Sequence, residues 1–296
     1  MPDLSIGSEE HKRLFCGFFV RSHDPFRPSD IVWPDLDDAT LSRLKALPVW
    51  DEAARTEAAT ALRIGTLGRV EKDPLLAEAI SLQGYEEQRH TEIIRLLAQR
   101  YGIVLSAQPA PEIPSDPVRA FLQTGYGECI DSFFAFGLFR IGVDSKFFPE
   151  GITSVFETIM QEEARHILFA VNWAAYSRAQ RPLLLRPAFD VWRGWNVLAE
   201  VAGRLKGALR MARDGGRKDG PDSQAGFTVA SAGSFGEFSV RRFLGLCLSE
   251  NERRLAPYDA RLLRPTLVPS LVRRVLGLLP GSREARPGRA PSSPAG

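Results

Sequence analysis

The chain has little cysteine, little histidine and almost no net charge. Its three cysteines, Cys16, Cys129 and Cys247, lie far apart and form no CxxC pair. That excludes a disulfide framework and a thiolate zinc pattern. Acidic and basic residues nearly cancel, leaving +2. Neither a nucleic-acid footprint nor an acidic tail is indicated. No apolar run reaches the roughly 18 residues a membrane-spanning helix needs. The opening stretch MPDLSIGSEEHKRLF has no apolar segment of the signal-peptide type. A reducing cytoplasm is the expected compartment.

What is there is a hydrophobic fraction of 44% over 296 residues, enough for a substantial core. The chain also says one thing twice. Glu86-Glu87-Gln88-Arg89-His90 and Glu162-Glu163-Ala164-Arg165-His166 share the pattern Glu-Glu-x-Arg-His, and they use two of the four histidines. On a helix, residues three apart lie on one face. Glu87 with His90, and Glu163 with His166, therefore each set a carboxylate beside an imidazole. Mixed Glu and His ligands suit iron or manganese better than soft metals. The bland alternative is a solvated charged face, where exposed ion pairs are worth about 0–1 kcal/mol. Two copies of one pattern, both inside apolar helices, argue against it.

Punctuation places both copies on helices. Residues 1–49 are polar and proline-punctuated and read as an N-terminal arm, with a short helix over 41–47 capped by Asp38 or Thr40. In the arm, Cys16, Phe18, Phe19 and Val20 read as a short apolar anchor or strand, and His11 and His23 as loop histidines on the surface. Long helices are expected over 50–68, 74–101, 117–147 and 151–179, with Gly102 ending the second. Short turns at 71–74 and 147–151 make antiparallel pairs, and the proline-rich 103–117 crosses between them. The reading is all-α, a four-helix bundle over 50–180.

Gly125, Gly127 and Gly137 in the third helix predict close packing or local unwinding. Phe133, Phe134, Phe136 and Phe139 predict either an apolar chamber or plain core. Further helices over 186–213 and 236–255, with one turn at 258–263, would pack on the bundle within 181–279. The basic, apolar 265–279, interrupted by Pro269, reads as a flap on the protein, with a membrane or partner surface as the alternative. The loop 214–221 reads as flexible and the tail 280–296 as disordered.

A dinuclear site in a bundle takes one more Glu from each of two further helices. Glu57 shares an apolar stripe with Ala53, Ala54, Ala61 and Ile64 and demands a partner, either a metal or an arginine such as Arg89 or Arg165. Glu52 is its rival, but it falls near the helix start, where acids serve the dipole. Glu128 has few rivals on its own helix.

Together, Glu57, Glu87, His90, Glu128, Glu163 and His166 resemble the six-ligand set of the ferritin-like, carboxylate-bridged diiron superfamily. Glu57 lies 30 residues before Glu87, and Glu128 lies 35 before Glu163, as in that superfamily's helix hairpins. The Arg before each His is most similar to the soluble acyl-carrier-protein desaturase branch. The resemblance implies two iron ions, or a manganese–iron pair, bridged by Glu87 and Glu163. Glu57 with His90, and Glu128 with His166, would be terminal. Glu86 and Glu162 would accept hydrogen bonds from the far nitrogens of His166 and His90, or pair with Arg89 or Arg165, roles that can coexist.

Ser132, one turn after Glu128, is similar to a hydroxyl of bacterial multicomponent monooxygenases and implies a proton relay; its alternative is a bond to its own helix. Asp131 resembles the extra acid of rubrerythrins and keeps a peroxidase reading open. Ile94 stands where the ribonucleotide reductase small subunit has its tyrosine, and no CxxC supplies a rubredoxin-type electron path. The implied activity is O₂-dependent oxidation of a small, apolar organic substrate, of hydroxylase or desaturase type. An electron-donor protein and a second copy of the chain are the partners expected. The alternative is a ferroxidase or peroxide scavenger with no organic substrate.

Overall fold

Capping residues and prolines set where each helix begins. The computed structural model of the chain describes residues 4–107, 109–213 and 239–278. Among these there is no strand, and the fold is an all-α bundle. α1 (Glu9–Arg21) starts at Ser8, whose hydroxyl accepts from the His11 N–H. α2 (Asp38–Ala46) is capped by Asp37 through Thr40 N, not by Asp38 or Thr40. α3 (Trp50–Val70) and α4 (Pro74–Tyr101) are joined by a short turn in which Asp73 caps Leu75 N and Leu76 N. Pro74 follows in the first turn, where a missing N–H costs nothing. Gly102 then closes α4 in the left-handed region, φ 64°. α5 (Pro117–Asp144) repeats the Asp-Pro device at Asp116, and α6 (Glu150–Ala179) follows.

Four contacts fix the register. Trp50 meets Phe156, and Glu57 and Glu163 share one cluster further along, so α3 and α6 run parallel. Gly125 faces Ala170 while Ser132 meets Glu163, so α5 runs antiparallel to both. The middles of α3, α4, α5 and α6 thus lie level with one another.

The N-terminal arm is not extended. Residues Glu9–Arg21 form a helix with Phe15, Cys16 and Phe19 wholly buried. It packs on α4 and α6, with Phe15 and Phe19 against Phe169. Each such ring contributes roughly 1.5–3 kcal/mol by burial, which outweighs the polar composition around it. α5 is unbroken, so none of its glycines unwinds it; Gly125 and Gly137 serve close packing. A Cβ on Gly137 would lie 2.4 Å from Cys247 Sγ, so Gly137 is what lets α8 (Val240–Leu255) seat on α5.

α7 (Arg186–Arg213) covers part of α5 and α6. Residues 258–263 form turns rather than a helical turn, with Leu263 N and O both bonded to Asn172. α9 (Leu267–Leu278) packs through Pro269 and Val272. Pro269 does not interrupt it, because it sits in the first turn. The predicted loop 214–221, the start of the predicted 236–255 helix and the tail 280–296 lie outside the described residues. No helix among the described residues is long and apolar enough to cross a membrane.

Candidate metal centre

The two repeated pentapeptides face each other from α4 and α6. Glu57 comes in from α3 and Glu128 from α5. Two groups of donor atoms result, each with its atoms within 4.8 Å of one another. One joins Glu57, Glu87, His90 and Glu163; the other joins Glu87, Glu128 and His166. Glu87 belongs to both. His166 Nδ1 lies 2.7 Å from Glu87 Oε1, and His90 Nδ1 lies 3.4 Å from both Glu57 Oε2 and Glu163 Oε1. All six predicted ligands are therefore brought together in the middle of the bundle.

These donors converge with little to satisfy them. Glu87 Oε1, Glu128 Oε1, His90 Nδ1 and His166 Nδ1 are buried without a well-aligned hydrogen bond, although His166 Nδ1 and Glu87 Oε1 lie 2.7 Å apart. Buried polar atoms are normally paired, so four orphans aimed at one volume mark a place for a cation. The donor set, four carboxylates and two imidazoles, is one that a pair of hard to borderline divalent ions fits.

The far side of each ring is fully committed. His90 Nε2 donates to Glu162 Oε2 at 2.8 Å, and His166 Nε2 donates to Glu86 Oε2 at 2.8 Å. Each first Glu of the repeat therefore serves the histidine of the other copy. That holds a proton on each Nε2 and turns both Nδ1 atoms to the centre, where a bound ion would take their lone pairs. The arginines complete the exchange. Arg89 donates to Glu162, and Arg165 donates to Glu86 Oε1 at 2.9 Å. Ion pairing and histidine support coexist on the same carboxylates. Arg89 and Arg165 make no contact with Glu57, whose neighbour is His90. Glu52 pairs with Arg55 at 2.6 Å and joins neither donor group.

Electrostatics separate the two layers. Burial, then the neighbouring Glu163, Glu128 and Glu57, hold the Glu87 carboxyl well above the usual range. Burial, then Glu163 and Glu57, do the same to Glu128. Burial opposes ionisation of Glu163 as well, but His90, His166 and Ser132 together bring it below its ordinary value. Glu86 is likewise buried, yet His166, Arg165 and His23 hold it far below. Burial disfavours charge on His90, and Glu162, Glu163 and Glu57 outweigh it, raising its pKa. Without a cation Glu87 and Glu128 are held toward their protonated forms; divalent ions would displace those protons.

Ser132 donates to Glu163 Oε2 at 3.0 Å rather than back to its own helix. Asp131 joins neither donor group and lines a cavity beside them. That cavity holds about 320 Å³ and touches Glu57, Glu87, His90, Glu128 and Glu163. Its other walls include Trp50, Ile94, Phe139, Phe148, Phe156 and Met160. Of the four phenylalanines singled out on α5, only Phe139 lines it; Phe133, Phe134 and Phe136 belong to the core clusters.

Neither remaining histidine is a surface loop residue. His23 Nδ1 lies 2.6 Å from Glu86 Oε1, joining the outer layer. His11 is wholly buried in α1; Gly7 N donates to its Nδ1, and its Nε2 donates to Asn172 Oδ1 at 3.0 Å. Gln83, 1% exposed, was not foreseen either, and it sits one turn before Glu87 with its amide 3.4 Å from Glu128 Oε2. Its helical spacing from Glu87 was the one available signal. His23 had none, because its partner lies 63 residues away.

No protein-family model, no curated protein and no solved structure matches the chain.

Proposed function

We propose that the chain is an O₂-dependent diiron oxidoreductase of the ferritin-like type, acting on a small, largely apolar organic molecule held in the cavity beside the carboxylates. The observation that carries this is the convergence of donors from four helices, several of their atoms without a well-aligned hydrogen bond, beside a largely apolar chamber. Glu57, Glu87, His90 and Glu163 would hold one ion, and Glu87, Glu128 and His166 the other, with Glu87 shared. Two iron ions, when bound, supply the electrons and the Lewis acidity that O₂ activation needs.

The chain's own part is to position and to shield. Glu86 and Glu162 hold each imidazole in the tautomer that presents Nδ1. Ser132 holds a proton 3.0 Å from Glu163 Oε2, at the chamber wall. Trp50, Phe148 and Phe156 keep that wall apolar and bulk water out. A ferroxidase or peroxide scavenger needs no chamber for an organic molecule, and the cavity favours the oxygenase reading over it.

Anaerobic titration with ferrous ion should give two irons per chain, and O₂ should then produce the near-ultraviolet absorption of an oxo-bridged diferric pair. Glu87→Ala should abolish both. Uptake of fewer than two irons, or an unchanged titration in Glu87→Ala, would overturn the reading.

A further inference from the structure

We infer that α7 and α9 dock the protein on an anionic lipid surface. α7 turns one side to the bundle, where Phe189 and Asn196 are buried and Asn196 Oδ1 accepts from Gln123 Nε2 of α5 at 3.1 Å. Its other side is apolar and uncovered. Val191 is 74% exposed, Trp195 70% and Leu198 58%. Ala188 and Ala202 are exposed with them. At 3.6 residues per turn these five fall within about 80° of one another, so they form one stripe. The sequence keeps the spacing at Leu205 and Leu209. A single exposed apolar side chain is ordinary, but a contiguous stripe marks a contact. α9 repeats the arrangement on a smaller scale. It buries Pro269 and Val272 and leaves Leu267 63%, Leu271 56% and Leu278 85% exposed.

Charge selects the occupant. Residues 186–213 hold six basic residues and two acidic ones, a surplus of four positive charges, where the whole chain has a surplus of only two. α9 contains Arg273 and Arg274 and no acid, and only Arg273 is shared with Glu252 of α8. Lysine and arginine around an apolar stripe of Trp and Leu make a helix that lies in the headgroup layer with its apolar side down. A second copy of the chain suits this face poorly, because pairing α7 with α7 would bring two like-charged helices together. A partner's helix or peptide needs a groove, and each of these faces is the outside of a single helix. Both helices pack on α5, which also lines the chamber. Docking would therefore set the chamber beside a phase in which apolar molecules concentrate.

The test is co-sedimentation of the full chain with vesicles of phosphatidylcholine, alone or with about 30% phosphatidylglycerol. The chain should bind the anionic vesicles at least about tenfold more tightly than the neutral ones, and raising salt from about 0.1 M to about 0.5 M should weaken that binding severalfold. Trp195→Ser with Leu198→Ser should weaken it about tenfold or more, and Leu267→Ser with Leu271→Ser severalfold. All four positions are exposed, so the fold should tolerate the changes. Val104→Ser, at an exposed position between α4 and α5, should stay within about twofold of the parent. Anionic vesicles should also shift tryptophan emission to the blue, and Trp195→Phe should remove most of that shift while binding persists. No binding to anionic vesicles, indifference to either serine pair, or an equal loss in Val104→Ser would each overturn the inference. So would a dimer in sedimentation that Trp195→Ser with Leu198→Ser dissociates, since the face would then belong to a second copy. Iron uptake plays no part in this binding, so the metal centre and the lipid contact can each fail alone.

Discussion

Glu86 and Glu87 are neighbours on one helix, and the structure treats them in opposite ways. Glu86 is surrounded by His166, Arg165 and His23, and both its oxygens are engaged. Glu87 faces other carboxylates, and its Oε1 meets His166 Nδ1 at 2.7 Å without a well-aligned hydrogen bond. Glu162 and Glu163 repeat the contrast more mildly. One layer closes on itself with protein groups alone; the adjacent layer is complete only with something positive added. Burying a charge is tolerable when partners meet it and costly when they do not. A single turn of helix carries both situations because consecutive residues point about 100° apart.

The largest effect expected from breaking this contrast is in the closed layer. Glu86→Ala leaves the Arg165 guanidinium buried without its carboxylate and should cost about 3–5 kcal/mol, read as a lowered urea midpoint with or without metal. The open layer should respond to metal instead. Iron at a thousandfold above its dissociation constant should stabilise the folded chain by about 4 kcal/mol, and a chelator should reverse the gain in a thermal melt.

Glu87→Gln sharpens the comparison through its sign. In the metal-free chain it removes a carboxylate from a crowded cluster and should raise the melting temperature, while abolishing the gain from iron. A loss of metal-free stability in Glu87→Gln would show that the inner carboxylates do not strain one another.

A smaller effect belongs to His11, a fully satisfied histidine away from the centre. Burial lowers its pKa from 6.5, against the hydrogen bond to Asn172. As pH falls through that value the unfolded chain takes up a proton the folded chain resists, so stability is present above it and lost below. His11→Gln should flatten that slope between about pH 7.5 and about pH 5.5, as measured by urea midpoints. The smallest effect is chemical: burial pushes the Cys247 thiol up to about 12. A thiol-exchange reagent at about pH 8 should leave it unlabelled until the chain unfolds.

The helices that carry the centre were legible because their signals are local. Asp73-Pro74, Asp116-Pro117 and Gly102 each mark a helix end by backbone chemistry, and α4 begins and ends where they say. Glu87, His90, Glu163 and His166 were legible because helical spacing turns a repeat in sequence into a repeat in space; Glu57 was legible as an acid on an apolar stripe, and Glu128 as an acid with few rivals on its helix. The N-terminal region was not. Phe15, Cys16 and Phe19 span barely more than a turn, too short a stretch for periodicity to speak, and their helix is held mainly by α4 and α6. His23 and Gln83 read as ordinary polar residues because their partners, Glu86 and Glu128, are 63 and 45 positions away. The cavity was illegible for the same reason: its walls come from α3 to α6 at once.

The guanidinium groups that hold Glu86 and Glu162 also grip the start of the chain. Arg165 donates to Phe19 O at 2.7 Å and to Ser22 Oγ at 2.9 Å, and Arg89 donates to Asp24 O at 2.6 Å and to Phe26 O at 3.3 Å. Trimming the first twenty-seven residues would therefore loosen the imidazoles from behind without altering a single ligand. The leading segment serves as the back plate of a clamp, and a deletion there should lower metal affinity together with the stability that Phe15, Cys16 and Phe19 supply.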